Sequence, residues 1–198
     1  MLTLRSCVVG VVAVLLVSGV AWAQTAADIA ALRVKANAGD ADAQYNLGLM
    51  YLKGQGVPQD YAQAVTWWRQ AAEQGHAAAL SNLGWAYETG RGVPQDHVQA
   101  VAWYRKAADQ GHALAQNNLG IAYTNGRGVP QDHVQAVAWY RKAADQGDAR
   151  AQFNLGVMYA NGQGVPQDYV EAHKWRNLAA SRASAKDRER SAEARDAL

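Results

Sequence analysis

Apolar residues recur along the chain at helical spacing, and the whole pattern repeats at a fixed period. Ala43, Leu47 and Tyr51 stand four residues apart, which places them on one face of a helix. The same three positions return downstream as Ala79-Leu83-Tyr87, Ala115-Leu119-Tyr123 and Ala151-Leu155-Tyr159. This recurring apolar face predicts a first amphipathic helix in each period.

A second helix is predicted in the other half of each period. The pentapeptide Gly-Val-Pro-Gln-Asp occurs at 56–60, 92–96, 128–132 and 164–168, each copy 36 residues after the last. Asp60 is followed three residues later by Gln63, the spacing of a capping box at the start of a helix. An apolar stripe containing Trp67 and Trp68 follows, and Gly75 is predicted to end the helix.

A fixed period with two helices inside it is the signature of a solenoid. Residues 90–111 and 126–147 are identical, which indicates duplication of one unit. Four such repeats are predicted over residues 40–181. Residues 24–39 have the pattern of a second helix without its first, and they predict an amino-terminal capping helix. Residues 182–198 lack the apolar columns of a fifth unit, and they predict a polar capping helix or tail.

Residues 1–23 are typical of a signal peptide for export. A single positive charge precedes the apolar run from Cys7 to Val20, and Ala21-Trp22-Ala23 forms a small-x-small cleavage signature. The run is shorter than the roughly 20 residues that a membrane span needs. We therefore expect an exported chain without a membrane span after cleavage, most simply a periplasmic one, or else a secreted one. An uncleaved amino-terminal anchor is the alternative.

Composition narrows the classes of function. Apolar residues make up 49% of the chain, which argues against disorder, and the formal net charge of +2 gives no large basic field of the kind that nucleic-acid binders use. Cleavage of residues 1–23 removes Cys7, the only cysteine. The mature chain then has no thiol for a disulfide, a thiolate metal site or a nucleophile.

The repeated units resemble Sel-one-like repeats, the 36-residue relatives of tetratricopeptide repeats. The resemblance rests on Ala-x3-Leu-Gly-x2-Tyr, Gly-x-Gly-Val-Pro-Gln-Asp and Ala-x2-Trp-x3-Ala-Ala-x2-Gly, in four copies in register. It implies an all-α, right-handed α-solenoid with capping helices that serves as a protein-interaction scaffold. In bacteria such proteins are often exported and assist signalling or assembly at the envelope. The predicted function is therefore a non-catalytic adaptor for a protein or peptide.

Positions that vary between the four units are the candidates for partner binding. They lie on the first helices, opposite the Ala, Leu and Tyr stripe, and in a tetratricopeptide-like stack this face lines the concave groove. Large apolar residues there are candidate anchors, because aromatic side chains carry much of the binding energy of interfaces. The candidates are Tyr45, Leu49, Trp85, Ile121 and Phe153. The alternative is that these side chains cover the adjoining repeat.

Residues that repeat in every unit are interpreted as framework. The tryptophans Trp67, Trp103, Trp139 and Trp175 recur without exception, which favours a place in the core over a binding cage. The asparagines Asn46, Asn82, Asn118 and Asn154 also recur. We expect each asparagine to hydrogen-bond the next loop rather than a ligand.

The histidines and glycine-rich loops predict no metal or cofactor. His97 and His133 occupy equivalent places in successive units, about 8–10 Å apart at typical helix spacing, which is too far for one zinc ion. The Gly-x-Gly loops follow no strand and lack the third glycine of a dinucleotide site.

The alternative function is an envelope enzyme or β-lactam-binding protein, because a cysteine-rich secreted branch of the family has been linked with penicillin binding. The sequence lacks the Ser-x-x-Lys and Lys-Thr-Gly motifs of that chemistry.

Overall fold

The computed structural model describes residues 27–196, and side chains up to residue 182. Within that range the chain contains helices and no strand. The helices are α1 (27–37), α2 (Ala41–Lys53), α3 (Tyr61–Glu73), α4 (Ala77–Thr89), α5 (His97–Asp109), α6 (Ala113–Asn125), α7 (His133–Asp145), α8 (Ala149–Asn161) and α9 (Tyr169–Asp196). The chain is therefore an all-α protein of 36-residue helix–loop–helix repeats, the α-solenoid class that its sequence predicts.

The helices form two compact units, one ending at His76 and the other beginning at Ala77. In the first unit α2 packs against α3, and in the second each helix from α4 to α9 packs against the next one along the chain. None of the helices in residues 27–196 combines the length and the apolar composition that crossing a bilayer requires. The predicted signal peptide, 1–23, lies outside the described residues.

The aspartate of each pentapeptide begins a second helix, as predicted. One Asp60 carboxylate oxygen accepts hydrogen bonds from the N–H groups of Ala62 and Gln63, at 2.9 and 3.0 Å. It thereby satisfies donors that have no partner inside the helix. The Asp60 N–H, which a capping box would give to the Gln63 side chain, donates to the Tyr51 carbonyl oxygen at 3.0 Å instead. The aspartate therefore begins its helix and also ties it to the end of the preceding first helix.

Each first helix approaches its second helix closely at a glycine. A Cβ atom on Gly120 would lie 2.5 Å from Cε1 of Tyr140, and one on Gly84 would lie 2.5 Å from Cδ1 of Tyr104. Both tyrosine rings are buried, with 3% and 1% of their surface exposed. The two helices thus pack with a tyrosine ring against bare backbone, an arrangement that a side chain on the glycine would prevent.

Helix α1 makes the contacts of a second helix. The Gln44 side chain donates to the Ala36 carbonyl oxygen at 3.1 Å, and Gln116 and Gln152 make the same bond to Ala108 and Ala144 at the same distance. In addition, the Arg33 guanidinium donates to the Tyr51 hydroxyl, as Arg105 and Arg141 do to Tyr123 and Tyr159. The described helix over 27–37 lies inside the predicted cap, 24–39, and covers the first repeat as a second helix would.

The last helix, α9, runs without a break through the fourth second helix and on to Asp196. The sequence places a boundary at residue 182, but the backbone has no turn there. Gly75, Gly111 and Gly147 end the earlier second helices at φ angles of 83°, 87° and 89°. Ala183 stands at the equivalent position. Because an alanine disfavours positive φ, the helix continues where a glycine would have let it turn.

We expect Gly120→Ala to lower the free energy of unfolding by about 1–3 kcal/mol, the usual effect of adding atoms to a packed core. Helix propensity alone would favour alanine over glycine by roughly 1 kcal/mol. The sign of the change, measured by urea denaturation, therefore separates the two effects. Asn125→Ala, at the exposed end of the same helix, is the control and should gain at most about 0.7 kcal/mol. A Gly120→Ala chain as stable as its parent would contradict the close packing.

Candidate functional site

The five predicted partner-binding residues all lie on first helices. Tyr45 and Leu49 belong to α2 in the first compact unit, and Trp85, Ile121 and Phe153 belong to α4, α6 and α8 in the second. Phe153 is 48% exposed and the other four are half-buried. Ile121 and Phe153 line one groove, which Trp85 does not reach.

The rings of Tyr45 and Trp85 contact polar side chains of their own units. The Tyr45 ring stacks on the His76 imidazole with 4.6 Å between ring centroids. His76 also lies 3.1 Å from an Asp42 carboxylate oxygen. The Arg91 guanidinium lies 5.2 Å from the centroid of the Trp85 ring, within cation–π distance. These contacts orient the two rings while part of each stays accessible to solvent.

The position of Tyr45 recurs as Ser81, Asn117 and Phe153, and its exposure differs between repeats. Ser81 and Asn117 are each 2% exposed, whereas Phe153 is 48% exposed. The Asn154 side-chain amide, on the next first helix, donates to Asn117 Oδ1 at 3.0 Å. In the third repeat this position is therefore a contact between adjacent first helices, the alternative that the sequence left open. Phe153 lies on the last first helix of the described chain, and its ring is open to solvent.

Two of the repeated asparagines lie against side chains of the preceding repeat. Asn154 bonds to Asn117, so the expectation that this column bonds the next loop is wrong for that residue. The hydroxyl of Tyr104 on α5 donates to Glu88 Oε2 at 2.6 Å, and the side chain of Asn118 on α6 lies beside it. Burial, followed by the neighbouring Glu88 carboxylate, raises the pKa of Tyr104 above its ordinary value. The tyrosine is thus a neutral donor that joins α4, α5 and α6.

A groove of about 1100 Å³ opens between α6, α8 and α9. Ile121 and Phe153 supply apolar surface, and Arg150, His173 and Arg176 supply nitrogen donors. The Arg176 guanidinium lies 5.7 Å from the centroid of the Phe153 ring. None of the described side chains that line this groove is acidic. The groove therefore offers an aromatic surface with positive charge beside it, a combination enriched in protein interfaces.

The described residues form no group of three or more His, Asp or Glu side chains suited to a metal ion. The sequence expectation that His97 and His133 bind no zinc stays a prediction.

The repeated units of the chain match a known protein family. A family model described as Sel1 repeat matches residues 41–76, 77–112, 113–148 and 149–184. The chain belongs to the Sel1 repeat family.

Each matched segment of this Sel1 repeat protein contains one first helix, its glycine-rich loop and one second helix. The resemblance seen in the sequence motifs is thereby confirmed. Sel1 repeat proteins are generally scaffolds for protein–protein interaction and are typically non-catalytic. This is the class of function that the sequence predicts for the chain.

Solved Sel1-type structures from bacteria resemble this chain. A protective antigen present in uropathogenic Escherichia coli strains, which displays an SLR fold, is 45% identical with a TM-score of 0.76. A Sel1 repeat protein from Oxalobacter formigenes is 40% identical with a TM-score of 0.68, and one from Klebsiella pneumoniae subsp. pneumoniae is 27% identical with a TM-score of 0.58.

These similarities cover 78%, 73% and 77% of this chain, and 33%, 59% and 73% of the respective relatives. This chain thus spans a third of the length of the E. coli antigen and less than two thirds of the Oxalobacter protein. No curated protein matches the chain.

We expect truncation at equivalent positions of the third and fourth repeats to change the free energy of unfolding by different amounts. Asn117→Ala should lower the free energy of unfolding by about 1–3 kcal/mol, because it leaves the Asn154 amide without its partner. Phe153→Ala should change it by no more than about 0.5 kcal/mol, since the ring is half exposed. Urea denaturation measures both. Equal losses in the two variants would show that Phe153 is a packing residue.

Proposed function

We propose that this Sel1 repeat protein is a non-catalytic scaffold of the bacterial envelope that binds a protein or peptide on the accessible face of its first helices. The observation that carries the proposal is the exposed ring of Phe153 beside Arg176. The two preceding repeats have buried Ser81 and Asn117 at the position of Phe153. An aromatic side chain left in solvent there is a feature that the repeat itself does not require.

The chemistry of this face suits a protein partner. Aromatic and arginine side chains are the residue types that most often dominate the energy of protein interfaces. Phe153 and Arg176 stand together in the groove, and Trp85 with Arg91 supplies a second pair of the same kind on α4 and its loop. Each pair offers a ring surface for apolar contact and a guanidinium for directional bonds. No observation on the described residues favours the alternative of an envelope enzyme or β-lactam-binding protein.

Action in the envelope is supported by the sequence of residues 1–23. That segment has the charge, apolar run and small-residue site of an export signal. Removal of the segment would release the repeats into the periplasm or beyond it. Retention would tether the same repeats to the membrane, with their first helices equally available to a partner.

We expect the double variant Trp85→Ala/Phe153→Ala to stay folded and to lose the partners of the parent chain. The measurement is crosslinking in cells of the tagged chain, exported by its own signal, followed by mass spectrometry of captured proteins. The control is Val98→Ala/Val134→Ala, which truncates side chains that are 64% and 65% exposed on second helices. Capture lists that are identical for the parent and both double variants would overturn the assignment of the first-helix face.

We expect the chain recovered from the envelope fraction to begin at Gln24, as intact mass and amino-terminal sequencing would show. Ala23→Leu should block this cleavage, because the signal-removing protease requires a small residue before the cut. Ala26→Leu, three residues beyond the site, is the control and should be processed normally. A parent chain that retains Met1 in the membrane fraction would establish an anchor in place of a cleaved signal.

A further inference from the structure

The second helices of the compact unit that begins at Ala77 differ in what packs against them. Helix α5 packs against α4 and α6, and α7 packs against α6 and α8. Each of these second helices therefore lies between the first helix of its own repeat and the first helix of the next. Helix α9 packs against α8, and no first helix follows it in residues 27–196. One face of the α8–α9 pair is therefore open where the earlier pairs are covered.

The residue at the centre of that face changes in the last repeat. In α5 and α7 the position holds Tyr104 and Tyr140, which are buried. The Tyr104 hydroxyl lies beside Asn118 on the first helix of the next repeat. In α9 the equivalent residue is Arg176, which is exposed. The place that an incoming helix would contact has thus changed from a neutral phenol to a cation.

The positive charge of Arg176 has no counter-charge among the described side chains. Arg150, on the other wall of the groove, pairs with Asp148 at 2.8 Å. Lys174, next to the groove on α9, pairs with Glu171 at 2.9 Å. No described carboxylate lies within 4.0 Å of Arg176, whose guanidinium contacts the Phe153 ring instead. A carboxylate from outside the described chain would complete the site.

We propose that this open face binds an amphipathic helix of a partner protein, seated as the first helix of a fifth repeat would be, with an Asp or Glu facing Arg176. The proposal rests on the scaffold function above and narrows its partner to an acidic helix. The earlier repeats supply the mode of docking, since α6 and α8 cover α5 and α7 in this way. The replacement of tyrosine by arginine indicates that the bound helix carries a negative charge at this point.

A second copy of this chain complements the face poorly. Helix α1, at the other end of the described residues, packs on α2 as a second helix and so occupies the side that α2 would need to expose. The exposed charged side chains of α1 are Arg33 and Lys35 against the single Asp28. A basic helix of the second-helix type matches neither the shape nor the charge of the α8–α9 face.

The test uses the full chain, purified after export, and two peptides with the sequence of α6, residues 113–125. One peptide carries Asn118→Glu and the other Asn118→Lys, because Asn118 is the residue that faces Tyr104 in the intact array. Fluorescence anisotropy of the labelled peptides measures binding at low and at physiological salt. We expect the glutamate peptide to bind at least about tenfold more tightly, with a difference that shrinks as salt is added.

Variants of the chain locate the effect. Arg176→Tyr restores the residue of α5 and α7, should fold normally, and should abolish the preference for the glutamate peptide. Arg127→Tyr makes the same substitution at an exposed loop arginine outside the groove and should leave the preference intact. Equal binding of the two peptides, binding of neither, or a preference that survives Arg176→Tyr would overturn the proposal.

Sedimentation velocity of the chain alone tests whether a second copy of the chain occupies the α8–α9 face. We expect no concentration-dependent dimer that Arg176→Tyr removes. Such a dimer would overturn the proposal by assigning the face to a second copy. Failure of the peptide experiment leaves the scaffold function to be decided by crosslinking in cells with Trp85→Ala alone, because Trp85 lies outside this groove whereas Phe153 lines it.

Discussion

The packing of a ring against a glycine in the middle of the neighbouring helix is the constraint on which this fold depends. Gly84 and Gly120 leave bare backbone, and Tyr104 and Tyr140 lie on it as buried rings. The contact sets how closely the two helices of a repeat can approach each other. At that distance, the hydroxyl of each tyrosine can reach polar groups on its own first helix. The repeat is thus held by an apolar contact whose polar edge also sets the orientation of the helices.

The loops and turns preserve this geometry from one repeat to the next. The Asp60 N–H donates to the Tyr51 carbonyl oxygen, and the equivalent bond recurs from Asp96, Asp132 and Asp168, at 2.9 to 3.0 Å. At the other end of α5 and of α7, a glutamine of the next first helix bonds a backbone carbonyl across the turn, as Gln116 does to Ala108. Both ends of α5 and of α7 are therefore tied by side chains or backbone groups at fixed positions in the period. Because the loops are bonded in the same way in each repeat, the repeats differ mainly at the variable positions of the first helices.

The period, the helices and their aspartate caps could be predicted from the sequence, because they depend on residues close together in the chain. The details that depend on the neighbouring repeat could not. The column of Tyr45 has the same helical phase in all repeats, yet Asn117 is buried and Phe153 is exposed, since only the presence of a following first helix distinguishes them. The sequence predicts that Asn154 bonds the next loop, whereas its observed partner is a side chain one repeat earlier. The continuation of α9 could be predicted from the sequence, because Ala183 replaces the glycine that ends the other second helices.

The glutamine bonds across the turns have a consequence for how such a chain changes in length over evolution. Gln116 to Ala108 and Gln152 to Ala144 are the same junction made twice, and Gln44 to Ala36 makes it with α1. A whole repeat inserted or deleted at one of these turns would meet, on both sides, the surface that its predecessor met. Recombination between the identical segments 90–111 and 126–147 inserts or deletes a unit in exact register. Natural selection can therefore adjust the number of repeats one at a time, because each new junction would copy one that the chain already contains.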